Sequence, residues 1–185
     1  MNLTATKRES KTKGEIKQSR RDGNIPAVLY APGVPSEAIE IDGDQFRAAL
    51  RKIKSGRLST TVFTLEVGGK KTKAIVKDIQ YDLTSYRVIH LDFEELKDDV
   101  PVKIKVPIEC LGVADCVGIK LGGFLRQVIR YTKVKCLPKD IPSEFGLNIQ
   151  SLGIKQSMRM SDIELPKGVT PISTADEVVV LIAKR

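Results

Sequence analysis

Tryptophan is absent from this chain, histidine occurs once and cysteine three times in 185 residues. Each scarcity excludes a class of chemistry. A structural zinc site draws on close pairs of Cys or His, whereas Cys110, Cys116 and Cys136 show no C-x-x-C spacing and His90 stands alone. An odd, sparse set is no disulfide scaffold either. The three thiols therefore read as buried or half-buried residues in a reducing compartment. Aromatic content is 5%, too low for a broad platform that stacks single-stranded nucleic acid. The longest apolar run, Val178 to Ala183, has six residues, against the ~20 that a spanning helix needs. Glu9, Ser10 and Lys11 follow Lys7 and Arg8 where a signal peptide would turn apolar. The expectation is a soluble protein that is not exported and has no membrane partner.

A hydrophobic share of 41% and a charged share of 29% are those of a globular chain, long enough for one or two domains. The formal charge of +8 is unevenly spread. Residues 1–30 carry +4, from Lys7, Arg8, Lys11, Lys13, Lys17, Arg20 and Arg21 against three acids. Residues 31–96 cancel, and residues 97–185 carry the other +4 over about three times the length. A short, dense basic stretch is what a polyanion-binding element looks like, although a solvated N-terminus has the same composition.

Strand signals outnumber helix signals. Ala27–Tyr30 reads as a strand closed by Ala-Pro-Gly, followed by another at Glu37–Ile41. Asp42 is placed to cap a helix, with Gln45 as its capping-box partner, and Phe46, Ala49, Leu50 and Ile53 recur at helical spacing up to Gly56. Val62–Val67 and Lys73–Ile79 form a hairpin through Gly68-Gly69. Tyr86–Phe93 is the clearest strand of the first half. Beyond Asp98-Asp99, Val100 to Ile108 alternates but holds Pro101 and Pro107, which predicts a sheet edge or a switch between sheets. Phe124–Arg130, Tyr131–Cys136 and Glu177–Ala183 complete the strands, with a turn at Leu165–Gly168. The pattern predicts a mainly β protein of two domains, residues 1–96 and 97–185.

The motifs of catalysis are missing. Gly112, Gly118, Gly122 and Gly123 fit neither G-x-x-x-x-G-K-[ST] nor G-x-G-x-x-G, and read as a bend between strands. His90 is the one imidazole, with Asp92 beside it, but no local signature marks a nucleophile. The sharper feature is the strand itself. Alternation gives Ile89, Leu91 and Phe93 to the core and puts Tyr86, Val88, His90 and Asp92 on the other face. A His, an Asp and a Tyr sharing one face, in a chain with a basic arm, suit a surface that reads base edges or 2′-hydroxyls. A small enzyme built on His90 and Asp92, or a β-rich interaction protein with an incidental basic arm, are the alternatives.

Arg20-Arg21-Asp22-Gly23-Asn24-Ile25-Pro26-Ala27-Val28-Leu29-Tyr30, then His90-Leu91-Asp92-Phe93, resemble the bacterial large-subunit ribosomal protein L twenty-five family, which binds 5S rRNA. Val106-Pro107-Ile108 with Gly112, then Gly118 to Gly123, are similar to the second domain of its long form, the general stress protein CTC type. The resemblance covers nearly the whole chain. It implies an N-terminal β-barrel with short helices that docks on the loop E region of 5S rRNA, and a C-terminal β-rich domain. It also implies a structural role within the large subunit, beside neighbouring ribosomal proteins, with no catalysis, cofactor or small-molecule substrate. The family's RNA contacts fall on Arg8, Arg20, Arg21, Tyr30, His90 and Asp92, with Lys13 and Lys77 beside them. Asn24 departs from a commonly basic position, and Ala31 from a common glycine. Asp92 is a telling choice against a polyanion: a carboxylate there makes sense if it accepts from a base amino group.

Overall fold

The computed structural model describes residues 1–8 and 12–184. Its contacts divide the chain into two units, Met1–Val100 and Pro101–Arg185.

In the first unit, β1 (Asn2–Lys7), β2 (Asn24–Ala31), β3 (Val34–Asp42), β4 (Val62–Val67), β5 (Lys70–Tyr81) and β6 (Val88–Glu95) close a barrel in the order β1-β3-β2-β6-β5-β4. β1 runs parallel to β4 and β2 parallel to β6; the other neighbours are antiparallel. Helix α1 (Lys13–Arg21) precedes β2, and α2 (Gly43–Lys52) follows β3. Alternation turns Ile25, Ala27 and Leu29 of β2 and Leu91 and Phe93 of β6 inward. Phe63 meets Phe93 edge-on at 6.1 Å between ring centroids, and Phe46 from α2 lies 6.2 Å from Phe63.

The turns follow their residues. Gly68 and Gly69 take φ of 55° and 85° between β4 and β5, where a tight hairpin needs two positive values. Asp42 caps α2 by accepting from the amides of Asp44 and Gln45 at 2.8 and 3.3 Å. Gln45 does not return the bond: its Oε1 accepts from the Thr4 amide at 3.0 Å and ties α2 to β1 instead. The helix stops at Lys52, short of Gly56. A second difference concerns the basic arm, where α1 forms although no apolar periodicity marks it. A complete capping box starts it, with the Glu15 carboxylate accepting from the Thr12 amide at 2.7 Å and the Thr12 hydroxyl accepting from Glu15. Lys11 of the arm lies outside the described residues. The strand expected at Tyr86–Phe93 runs instead from Val88 to Glu95. Tyr86 belongs to the preceding turn, at φ 54°, so it does not share a strand face with His90 and Asp92.

The second unit contains β7 (Val102–Leu111), α3 (Val117–Lys120), β8 (Gly123–Gln127), β9 (Tyr131–Cys136), β10 (Phe145–Asn148), β11 (Ser157–Arg159), β12 (Thr170–Pro171) and β13 (Val178–Lys184). They build two sheets, β10-β7-β9-β12 and β11-β13-β8. β7 is not an edge strand. Val102–Pro107 pairs with β9, then Ile108–Leu111 pairs with β10, so Pro107 sits where the strand changes partners. The glycine segment holds the short α3 as well as a bend. Gly118 is required there, since a Cβ would lie 2.8 Å from the Gly153 backbone. Cys116 and Cys136 are buried, Cys110 is half-buried, and all three are free thiols; burial raises the pKa of Cys110 and Cys136. The fold is mainly β, as the sequence pattern predicts.

Candidate nucleic-acid interface

The outer wall of the barrel over β2, β6 and β5 gathers four of the expected site residues. Parallel pairing sets Val28 beside Asp92 and Tyr30 beside Glu94. On the other flank of β6, Asp78 stands opposite Asp92 and Gln80 opposite His90. The register slips between Val76 and Asp78, so β5 carries an extra residue there, and that residue is Lys77. Its ammonium lies 2.7 Å from a carboxylate oxygen of Glu94, both side chains being largely covered. Lys77 therefore neutralises Glu94 on the wall rather than reaching outward as a lone cation.

His90 Nδ1 approaches Asp92 Oδ1 to 2.9 Å. The approach is off the ring N–H direction, so Nδ1 is close to the carboxylate without an aligned hydrogen bond. Tyr30 completes the patch. Partial burial, followed by the negative charges of Glu94, Asp92 and Asp78, raises its pKa above the ordinary 10. The phenol thus remains a hydrogen-bond donor across the neutral range, beside a carboxylate that is an acceptor. Such a face pairs donors and acceptors for a base edge and supplies little net attraction for a phosphate chain.

Cationic groups come from α1. Ser19, the buried residue of that helix, donates to Glu40 of β3 at 2.6 Å and fixes the helix on the wall. Arg20 donates through Nε to the carbonyl of Ile89 at 3.1 Å, which ties its guanidinium to β6 at the residue before His90. Arg21 follows it in the last turn and, with Arg20, Arg47 and Arg87, lines an adjoining groove. Lys13 opens the helix, ~10 Å from Arg20 along its axis. Arg8 follows β1, its amide donating to the Ala38 carbonyl at 2.9 Å; its Nε and Nη1 are buried without a hydrogen-bond partner among the described residues. The structure thus gathers Tyr30, Lys77, His90 and Asp92 on one wall, with Arg20 and Arg21 adjoining; Arg8, bonded to Ala38, falls in the cross-strand row of Val28 and Asp92, and Lys13 opens α1. Sequence reasoning missed Arg47 and Arg87, read as an outward helix residue and a strand residue. Among the described residues no cluster of His, Cys, Asp and Glu is suited to a metal ion, and no helix is long and apolar enough to cross a membrane.

Comparison with known proteins agrees with both units. Residues 3–93 match the Ribosomal L25p family, and residues 101–185 match the C-terminal domain of ribosomal protein TL5. Large ribosomal subunit proteins bL25 of Chlamydia muridarum and Chlamydia abortus are each 49% identical to this chain, over all of it and all of themselves. The Chlamydia pneumoniae protein of the same name is 46% identical over the same span. Identity at that level along both full lengths leaves no room for an enzyme built on His90: the chain belongs to the bL25 family of large-subunit ribosomal proteins, in its two-part form.

Proposed function

We propose that this large-subunit ribosomal protein binds 5S rRNA in the loop E region, through the outer wall over β2, β6 and β5 together with α1. One observation carries the reading: Arg20 is pinned to the Ile89 carbonyl, next to the His90–Asp92 pair and on the strand that neighbours Tyr30. A cation for the phosphate chain and a donor–acceptor set for base edges then lie side by side. Helical RNA shows proteins a shallow minor groove with 2′-hydroxyls and base edges, and is read by shape, backbone and a few such contacts. With Glu94 paired to Lys77, the Asp78 and Asp92 carboxylates on the wall would repel a phosphate chain laid over them. They make sense when base amino groups, not phosphates, face the wall.

The test compares Asp92→Asn with Arg20→Ala in gel shifts against 5S rRNA and an unrelated duplex of equal length. Asp92→Asn weakens specific binding by ~1–3 kcal/mol although it removes a negative charge. Arg20→Ala weakens binding to both RNAs and lowers the salt slope by roughly one unit or less. Electrostatics alone predicts that Asp92→Asn tightens binding. A folded Asp92→Asn protein that holds 5S rRNA as tightly as the parent sinks the assignment of the wall.

A further inference from the structure

Beside the wall, at the end of the barrel where β6 begins, lies a solvent-open groove of about 590 Å³ lined by Arg20, Arg21, Arg47 and Arg87. These arginines come from three separate segments: the last turn of α1, the first half of α2, and the Asp82–Arg87 turn before β6. Like charges do not gather without cost, so what holds them there bears on what the groove does. Two features fix its sides.

The first is a close crossing. A Cβ built on Gly43 would lie 2.2 Å from the Gly23 carbonyl oxygen and 3.3 Å from an Arg47 Nη, so α2 meets the end of α1 at a spacing only glycine allows. The second is the Asp82 turn. One oxygen of Asp82 accepts from the amides and hydroxyls of both Thr84 and Ser85, at 2.6 to 3.0 Å. The Asp82 amide donates to the Arg87 carbonyl at 2.8 Å, and the Tyr86 amide donates to the Asp82 carbonyl at 2.9 Å. These bonds set the position of Arg87. They also occupy the carboxylate: Asp82 is the acidic residue among the groove's lining, and its hydrogen bonds hold it ionised well below the usual carboxylate range. Arg47 is steadied by Asp44, one turn back on α2. The result is four guanidinium groups around one concavity, against one lining carboxylate bonded within its own turn and a second, Asp44, on Arg47.

We infer that this groove is a second RNA contact, a phosphate grip in which Arg47 and Arg87 act with Arg20 and Arg21 on the backbone of the RNA that the wall reads. The inference rests on the RNA-binding reading and extends its footprint past the end of β6. Guanidinium groups suit the role, since their planar donors match phosphate oxygens bidentately. Arg20 joins the two surfaces: its Nε is spent on Ile89, on the strand of the wall, while its side chain lines the groove. The division of labour is then chemical. The wall discriminates, and the groove supplies attraction that the wall's carboxylates do not.

The experiment uses the full chain and 5S rRNA, with binding measured from low to moderate salt. Arg47→Ala/Arg87→Ala binds about tenfold more weakly at low salt, and its slope of log K against log salt is shallower by ~1–2, at roughly 0.7–0.9 for each phosphate no longer neutralised. Its preference for 5S rRNA over the unrelated duplex is retained, because the wall is intact. Should the double variant melt early, Arg87→Glu alone, on an exposed turn, carries the same test, with the weakening at least as large. A folded variant with unchanged affinity and slope overturns the groove, and if Arg20→Ala and Asp92→Asn still impair binding the wall stands without it. Unchanged binding in all of these variants overturns the RNA reading and the groove together.

Discussion

Tyr86 is one of two described non-glycine residues at positive φ, with Lys155. It is 80% exposed and sits at φ 54°, in the left-handed region that costs a non-glycine residue ~1–2 kcal/mol. The Asp82 turn imposes that geometry, since the Tyr86 amide is held on the Asp82 carbonyl. Glycine relieves the strain and gives back ~0.5–1 kcal/mol as extra freedom in the unfolded chain. Tyr86→Gly is therefore expected to stabilise the protein by ~0.5–1 kcal/mol net, read as a higher denaturant midpoint at unchanged slope. Tyr30 gives a second test at this scale. Its raised pKa means that the folded state keeps a proton the unfolded chain releases, so stability falls as pH rises from about 10 through the folded value. Urea melts across the alkaline range should show a shallower decline for Tyr30→Phe than for the parent. An identical decline would mean that neither burial nor the neighbouring carboxylates act on the Tyr30 phenol.

At the scale of the element, α1 decides where the cations go. It holds a single partly buried apolar residue, Ile16, and its stability comes from the Thr12–Glu15 capping box and from Ser19 on Glu40. Thr12→Ala should cost ~1 kcal/mol of local stability. Faster hydrogen exchange at the α1 amides, with the barrel strands unchanged, would show it. The same composition explains what the sequence conceals. Strands β2 to β6 announce themselves by alternation and by the Pro-Gly and Gly-Gly turns, and Asp42 announces α2. α1 has no apolar periodicity to read, and β1 offers only Leu3 and Ala5 as inward residues, so neither element is legible from pattern. Thr12-x-x-Glu15 is the one available signal. For the site, the face of β6 is legible because His90 and Asp92 lie two apart on one strand. Arg47 and Arg87 are not: 40 residues separate them in the chain, and only the Gly23–Gly43 crossing and the Asp82 turn put them around one groove. Pro107 follows the local rule: of the edge and the switch that the prolines predict, the switch forms, since β7 leaves β9 for β10 at that residue.

At the scale of the molecule, the basic arm, the wall and the groove all fall within Met1–Val100. Two backbone bonds finish this unit: the Leu96 amide donates to the Lys73 carbonyl at 2.8 Å, and the Val100 amide to the Lys97 carbonyl at 3.1 Å. A cut after Val100 therefore leaves no barrel strand short of a partner, and every core residue of the barrel is retained. We expect residues 1–100 to fold alone, with one cooperative transition, as an independent domain does. On the proposed reading they should also bind 5S rRNA within about tenfold of the full chain, or ~1.4 kcal/mol. The salt slope discriminates further. Residues 101–185 carry +5 of the chain's +8, so a second unit that touched the same RNA would steepen the full chain's slope by roughly 0.7–0.9 for each phosphate it neutralised. Equal slopes for fragment and full chain would assign the whole 5S contact to the barrel and leave the C-terminal charge for another part of the large subunit. A folded fragment with a clearly shallower slope and a larger loss of affinity would refute that division, and place part of the RNA contact beyond Val100.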